Sequence, residues 1–421
     1  MFILIMSLSA LTLNAQIKDL SYYVNKAQQN NPSIKQNERL RKINLLQNDL
    51  IFAQNRKPQV YFTSDYLFAP YFNNNGRFIS ITPNPDLNAY GYDPSISNGG
   101  LYEALLNADV PLLNKSITNA LTEQNSIQNN LLLISDRQIL HDIEKQVREQ
   151  FLNTFSIQEQ IKYLDRIIKL VEDRKILAES LARKGIMQQS DYLLLDIELN
   201  SKVIEQQQQK QLLSEAFNQL NNLCVIGDTA QYELKEPVII QLQPVTSFSF
   251  LERYRADSLS LAAEQEVIKL NNNPQLNLYG NIGLRTTDPS NALHNFGTSI
   301  GLHLNVPIFN GNQKEIQIQQ NMIAFDTLGI SRKQEISNVT NSLKSLNSQI
   351  KMTEETISLN QAQITKQELL LNILRNKLIS GQTSALEYVK AIEDYVLTNQ
   401  NLLNARISLW QLINQYNYLN W

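Results

Sequence analysis

Glycine and proline, the residues that interrupt helices, are scarce in this chain and unevenly placed. Of its 421 residues only 13 are glycine and 12 are proline, about half the usual share. The tract from Leu112 to Glu236 has no proline and two glycines, and the tract from Ile308 to the end has no proline and three glycines. A β-rich enzyme needs turn residues throughout, so these tracts predict very long helices. Most other glycines and prolines cluster in 58–111 and 274–311, which predicts two short regions of a different kind.

Cysteine, net charge and long apolar runs are also limited. The single cysteine, Cys224, excludes an intrachain disulfide framework and a cysteine-rich metal site. A balance of 37 Lys+Arg against 40 Asp+Glu gives a net charge of −3, which offers no basic surface for nucleic acid. No apolar run is long enough for a transmembrane helix.

Motifs that carry catalysis are missing as well. The three histidines, at positions 141, 294 and 303, are dispersed, and there is no HExxH, Walker A or Gly-x-Ser-x-Gly motif. Gly297 and Gly301 lie within a predicted strand, where small residues ease close packing, so they do not indicate a phosphate loop. We predict neither an enzyme nor a bound cofactor or metal.

Residues 1–15 have the pattern of a signal peptide. Met1–Leu13 is almost wholly apolar and is followed by Asn14-Ala15, which is typical of a cleavage site. No Lys or Arg precedes the apolar run, so a buried N-terminal helix is the alternative. Cleavage after Ala15 predicts an exported protein that is not a lipoprotein, with a periplasmic or outer-membrane address.

The two helical tracts carry an apolar residue every seven positions, which is the spacing of coiled coils. Each tract is about 70 residues long, or roughly 105 Å as one helix. No compact domain contains such a helix, although an ordinary filamentous coiled coil does. The residues of the second tract that form this seam are Ile336, Leu343, Ile350, Ile357, Ile364, Leu371 and Leu378, with Val339, Leu346 and Leu374 between them.

Four segments near the glycine-rich regions alternate between apolar and polar residues with a period of two. Each is about ten residues long, which is typical of transmembrane β-strands. Ten of the 31 Tyr and Phe residues lie in 58–111, as in an interfacial aromatic girdle. A soluble sandwich with one wet face is the alternative. The four segments are Val60–Phe68, Tyr102–Val110, Pro274–Arg285 and Phe296–Val306.

Four strands cannot close a barrel around a lumen, because the smallest closed membrane barrels need about eight. An open edge in lipid would leave backbone groups unpaired. We therefore expect a homotrimer in outer-membrane lipid, in which three copies complete a twelve-stranded barrel.

The chain also repeats itself. Val110-Pro111 and Val306-Pro307 are 196 positions apart, and so are Gly185 and Gly381. One offset over such a length indicates a duplication. We predict a first repeat at 16–222, with a hairpin at about 58–111 and a turn at Gly185, and a second at 247–421, with a hairpin at about 274–308 and a turn at Gly381. Residues 223–246 form an irregular linker, and a rising helix of about 40 residues covers 17–56. The predicted fold is mainly α, with long duplicated coiled-coil helices and a membrane β-barrel portion.

Several short motifs occur in a fixed order along these repeats. They are Asn31-Pro32-Ser33-Ile34, Val110-Pro111-Leu112, Arg183-Lys184-Gly185, Asp191-Tyr192-Leu193, Val306-Pro307-Ile308-Phe309-Asn310, Ser380-Gly381-Gln382, Leu386-Glu387-Tyr388-Val389 and Asn404-Ala405-Arg406. Because these motifs occur in this order, the sequence resembles the TolC-like outer-membrane efflux proteins over essentially the whole mature chain. The resemblance implies a trimer with a periplasmic helical tunnel, and partners in a periplasmic adaptor and an inner-membrane pump.

The same resemblance implies acidic rings that narrow the periplasmic mouth just after the second turn. The first acidic position falls on Glu387, but the second falls on Lys390, which puts cation selection at this mouth in doubt. Asp191 is the repeat partner of Glu387 and a weaker gate candidate. A solvated helix face is the alternative interpretation of these residues.

The helical turns are the expected docking site for the adaptor, although a bare turn is the alternative. A glycine can adopt the left-handed conformation that ends a helix, and basic residues suit the negative end of the helix dipole. The predicted docking residues are Arg183, Lys184, Gly185, Ile186, Met187, Gly381, Gln382 and Thr383.

Two functions follow from these features. The first is a passive exit duct of a tripartite efflux or type I secretion system, which carries small toxic compounds or polypeptides across the outer membrane. The second is an exported coiled-coil scaffold or adhesin that transports nothing.

Overall fold

A computed structural model of the chain describes residues 17–82, 84–93, 96, 100–185, 188–228, 230–287 and 293–421. The predicted signal peptide lies outside the described residues. The chain divides into two compact units. One comprises the residues up to Asn37 together with Ile134–Glu252 and Arg332–Trp421, and the other comprises Glu38–Leu133 and Arg253–Ser331.

Long helices dominate the described residues. In chain order they are α1 (Leu20–Asn30), α2 (Pro32–Arg56), α3 (Lys115–Arg183), α4 (Gln189–Leu223), α5 (Phe250–Asn271), α6 (Gln313–Ile379) and α7 (Ala385–Leu419). Helix α3 has 69 residues and α6 has 67. In the parts of the chain that the structure describes, no helix has the combination of length and apolarity needed to cross a membrane.

The strands contain far fewer residues than the helices. They are β1 (Ile17–Lys18), β2 (Gln59–Phe68), β3 (Tyr71–Asn74), β4 (Arg77–Ser80), β5 (Gly100–Pro111), β6 (Glu233–Leu234), β7 (Gln275–Thr286) and β8 (Phe296–Asn305). The expected fold class is confirmed, because the chain is mainly α with long helical hairpins and contributes four long strands to one sheet.

The predicted rising helix over 17–56 is not a single helix. Its first two residues form β1, which pairs in parallel with β6, and the rest is divided between α1 and α2 at Asn31. The residue before a proline is biased toward extended backbone, and Asn31 has a ψ of 123°. The Asn31 side chain then accepts hydrogen bonds from the backbone N–H groups of Ser33 and Ile34 at 2.8 and 3.2 Å, so it caps the start of α2.

The seven-residue seam of α6 is the only continuous protected stripe on that part of the helix. Between Ile336 and Leu378 every seam residue is buried or half-buried, and so are the polar residues Thr353, Asn360 and Gln367 that complete the heptad spacing. Thr340 is the one further residue of this stretch that is not exposed. Val339, Leu346, Ile350, Leu374 and Leu378 are the buried members. The seam therefore packs as the coiled-coil spacing predicts.

The four long strands form an antiparallel sheet in the order β2-β5-β7-β8. The hairpin of the first repeat therefore lies beside the hairpin of the second. Strands β2 and β8 are the edges, and their outer sides are unpaired within the described chain. The segment between β2 and β5 contains a small hairpin of its own, β3 and β4, which turns at Asn75 and Gly76 with positive φ at both.

The single cysteine lies in a hydrophobic cluster that joins α1, α3 and α4. Cys224 has no exposed surface and packs with Tyr23, Val147, Phe151 and Phe217. Burial raises the pKa of the Cys224 thiol to about 12, because the thiolate would lose its hydration there. Since the thiolate is the reactive form, Cys224 is inert in the folded protein.

We expect a maleimide to modify Cys224 only after the protein unfolds. The measurement is the mass of the purified protein after labelling in detergent and again in guanidinium. Rapid labelling of the folded protein would contradict the buried position, and complete labelling in guanidinium shows that the reagent is active.

Candidate functional site

Each long helical hairpin turns at a glycine with left-handed backbone. The φ of Gly185 is 73° and that of Gly381 is 69°. At the second turn the Gly381 N–H donates to Leu378 O at 3.2 Å and the Gln382 N–H donates to Lys377 O at 2.8 Å. These two bonds satisfy the last carbonyl groups of α6 in a Schellman motif.

The returning helices α4 and α7 both begin with an acidic residue at the third helical position. Asp191 follows the N-cap residue Gln188, and Glu387 follows the N-cap residue Ser384. A carboxylate there is stabilised by the positive end of the helix dipole. The Ser384 hydroxyl also accepts a hydrogen bond from the Glu387 N–H at 3.2 Å. Both acidic residues therefore have a local structural role whatever else they do.

Glu387 and Lys390 are exposed, and no ion pair joins them in the structure. The Glu387 carboxylate instead accepts a hydrogen bond from the Thr383 hydroxyl. The side chains of Glu387 and Lys390 are left available to solvent or to another molecule, while Asp191 is half-buried.

A shared core lies behind the two turns. Tyr388 is 1% exposed and Ile392 is fully buried in a cluster that includes Val171 of α3, Leu195 of α4 and Leu378 of α6. Arg174 donates from Nε to the Tyr388 hydroxyl at 3.2 Å. The two hairpins therefore pack against each other at this end of their unit, which holds the first turn of α7 in place.

The predicted docking residues are exposed or half-exposed where the structure describes them. Arg183 is paired with Glu179 at 2.7 Å, Lys184 and Gln382 are exposed, and Thr383 is half-buried. Ile186 and Met187 lie outside the described residues. The described turn residues thus present mainly backbone and polar side chains, and exposed Ile379 and Leu386 flank the second turn.

Pairing register gives the four-stranded sheet one apolar and one polar face. On the apolar face the aligned residues include Phe62 on β2, Leu106 on β5, Ile282 on β7 and Thr298 on β8, which are paired in that order. The residues on this face are Val60, Phe62, Ser64, Tyr66, Phe68, Gly100, Tyr102, Ala104, Leu106, Ala108, Val110, Leu276, Leu278, Gly280, Ile282, Leu284, Thr286, Phe296, Thr298, Ile300, Leu302 and Leu304.

The polar face is joined by hydrogen bonds between side chains of neighbouring strands. The Asn107 side-chain amide donates to the Thr63 hydroxyl at 2.8 Å, and the Ser299 hydroxyl donates to the side-chain oxygen Oδ1 of Asn281 at 2.9 Å. The Tyr61 hydroxyl donates to the Asp109 carboxylate at 2.7 Å. A sheet with one apolar and one hydrogen-bonded polar face is suited to separate lipid from a water-filled lumen.

Two functional features were missed in the sequence. The Ser-x-x-Glu spacing of Ser384 and Glu387 is a helix-start signal, and it assigns Glu387 a capping position. The alignment of charged residues across strands had no local signal, because it depends on register between distant segments.

The turn glycines give a prediction about stability. Gly381→Ala should destabilise the protein by about 1–2 kcal/mol, because alanine is strained at this left-handed φ. Gly329 is the matched control, since it lies inside α6 with open space around its Cα, and Gly329→Ala should stabilise by about 1 kcal/mol. The measurement is the midpoint of thermal loss of helical circular dichroism. A shift of both variants in the same direction would contradict the assignment.

Long antiparallel helical hairpins attached to a two-faced antiparallel sheet define the architecture of TolC-like outer-membrane channels. Residues 255–415 match the outer membrane efflux protein family. No curated protein matches the chain. The resemblance seen in the sequence is confirmed by this match in the second half and by the fold of the whole chain.

Solved structures with this fold cover 95% of the chain. The transmembrane channel CusC is 15% identical, is itself covered over 91% and has a TM-score of 0.71. The outer-membrane protein VceC from Vibrio cholerae is 15% identical, is covered over 96% and has a TM-score of 0.65. The outer-membrane channel CmeC from Campylobacter jejuni is 12% identical, is covered over 83% and has a TM-score of 0.68.

Proposed function

We propose that this protein is the outer-membrane exit duct of a tripartite efflux or type I secretion system. It conducts small toxic compounds or polypeptides passively from the periplasm to the outside. The observation that carries the proposal is the register of the sheet, which aligns an apolar and a polar face over four strands and leaves β2 and β8 as open edges. In lipid those edges require partners, since unpaired backbone groups cost several kcal/mol each there.

Three copies complete the barrel in this proposal. Strand β2 of each copy pairs with β8 of the next, which gives twelve strands and faces the polar sides inward. The signal peptide at 1–15 directs export, and the helices extend into the periplasm of a Gram-negative-type bacterium. The repeats at 16–222 and 247–421 each contribute one hairpin to the barrel.

The proposal is tested by fractionation and conductance. We expect the protein in the outer-membrane fraction, with an SDS mobility that changes on heating and a conductance in planar bilayers. A purely soluble periplasmic protein that never conducts would overturn the duct and favour an exported scaffold or adhesin.

We further propose that Glu387 and Lys390, with Asp191 as a weaker contributor, line the periplasmic mouth. Glu387→Gln should change the conductance of the purified channel, while Ser384→Ala should change stability alone, since it removes only the N-cap. Equal conductance in the wild type and in Glu387→Gln and Lys390→Gln would leave these residues with a capping and solvent-facing role only.

We propose that the turns contact a periplasmic adaptor, which in turn binds an inner-membrane pump. Gln382 is the best test position, because its side chain is exposed while only its backbone N–H bonds α6. Gln382→Trp should raise ethidium accumulation in cells, whereas Gln361→Trp on an exposed position of α6 should not. Normal efflux with Gln382→Trp in a folded trimer would reject the docking site.

A further inference from the structure

Three charged residues lie side by side across three strands of the polar face. The register pairs Asp65 of β2 with Glu103 of β5, and Glu103 with Arg285 of β7. Directly paired residues point to the same face of a sheet. This charged row lies near the end of β2 that leads into the β2–β5 loop, because β2 ends at Phe68.

The arginine of this row forms an ion pair with Glu103, the acidic residue directly opposite it. Arg285 Nε lies 2.6 Å from Glu103 Oε1, and a second guanidinium nitrogen donates to Glu103 Oε2 at 3.2 Å. Such a bidentate contact holds both groups in one geometry. The Glu103 side chain is only 11% exposed, so the charges of Glu103 and Arg285 neutralise each other at the wall.

Two carboxylates of the polar face have no cationic partner in the described chain. Asp65 is exposed, and no ion pair or side-chain hydrogen bond engages it within the described residues. Asp109 is half-buried and accepts a hydrogen bond from the Tyr61 hydroxyl at 2.7 Å, which leaves its charge in place. Thr63, Asn107, Asn281 and Ser299, which lie between these two levels, are uncharged.

We propose that Asp65 and Asp109 give the lumen of the barrel a preference for cations and cationic compounds. The inference rests on the proposed function, since it requires the polar face to line a pore. Rings of carboxylates select cations in pores, and every copy in the barrel would add one carboxylate at each of two levels. Selection then occurs in the barrel wall, where Arg285 is already paired with Glu103, and it does not depend on Glu387 or Lys390.

The test is the reversal potential of the purified full-length channel in a planar bilayer under a KCl gradient. At low ionic strength, where the Debye length is about 10–30 Å, the wild type should show the sign of a cation-preferring pore. The isosteric double variant Asp65→Asn with Asp109→Asn should move the reversal potential toward zero. Asp65→Lys should move the reversal potential further in the same direction than Asp65→Asn does. Ser299→Ala is the matched control, because it removes a polar contact of the same face without changing charge, and it should leave the potential unchanged.

Several outcomes overturn the proposal. An unchanged reversal potential in a conducting, folded double variant does so, and so does a preference that disappears only with Glu387→Gln. Near 1 M salt, where the Debye length is about 3 Å, the difference between wild type and double variant should shrink. Its persistence there would indicate a cause other than the wall charges. Absence of any conductance in the wild type would instead reject the proposed duct itself.

Discussion

Replacing Gly283 with alanine is expected to prevent assembly of the sheet. A Cβ at Gly283 would lie 2.1 Å from the Ala104 carbonyl oxygen and 2.9 Å from Leu105 Cα. Both are backbone atoms of the neighbouring strand, so no side-chain rotation relieves the overlap. The φ of Gly283 is 156°, which L side chains rarely adopt, and together these effects cost about 3 kcal/mol or more.

The position of Gly283 makes the loss larger than its local cost. It lies on β7 opposite Leu105 of β5, at the junction between the hairpins of the two repeats. If β5 and β7 separate, each exposes a new unpaired edge, which lipid does not satisfy. We therefore expect Gly283→Ala to lose the heat-modifiable form on SDS gels and to be depleted from the outer membrane.

Gly297 is a matched control for this experiment. It is paired with Gly283 across β7 and β8, yet a Cβ at Gly297 would have no atom within 4 Å. Gly297→Ala should therefore assemble like the wild type. Normal assembly of Gly283→Ala, or equal failure of both variants, would show that the close approach of β5 and β7 does not limit the sheet.

The long helices and the two-faced strands were predictable because their determinants are local. The seam from Ile336 to Leu378 needs only its own spacing to specify one buried stripe. The alternation in 274–285 likewise specifies two faces before any partner strand is known. In both cases the pattern repeats many times, so single exceptions such as Thr353 or Asn360 do not disturb it.

Features that depend on distant pairing were not predictable in the same way. Strand β1 has two residues and exists only because β6, more than 200 positions away, pairs with it. The row of Asp65, Glu103 and Arg285 likewise depends on register, and a shift of one residue would move each side chain to the other face. The interruption at Asn31 did have a local signal, because the residue before Pro32 is biased toward extended backbone.

Truncating Phe151 should produce the largest effect among substitutions in the helical core. Phe151 is fully buried and lies 5.8 Å from the Tyr23 ring, centroid to centroid. Its cluster holds α1, β6 and the end of α4 against α3, so a cavity there weakens contacts between segments far apart in sequence. Phe151→Ala should cost about 3–5 kcal/mol, while Ile176→Ala, at a position of α3 that is 62% exposed, should cost far less.

Cys224 reports on this cluster directly, because it packs in the same group of buried residues. If maleimide reaches Cys224 through opening of the cluster, the labelling rate follows the opening free energy. A loss of at least 3 kcal/mol then corresponds to an increase of about a hundredfold or more in rate. Ile176→Ala should label at the wild-type rate. Unchanged labelling of Phe151→Ala would mean that Cys224 is protected by contacts that do not depend on Phe151, and the cluster would then not act as one cooperative core.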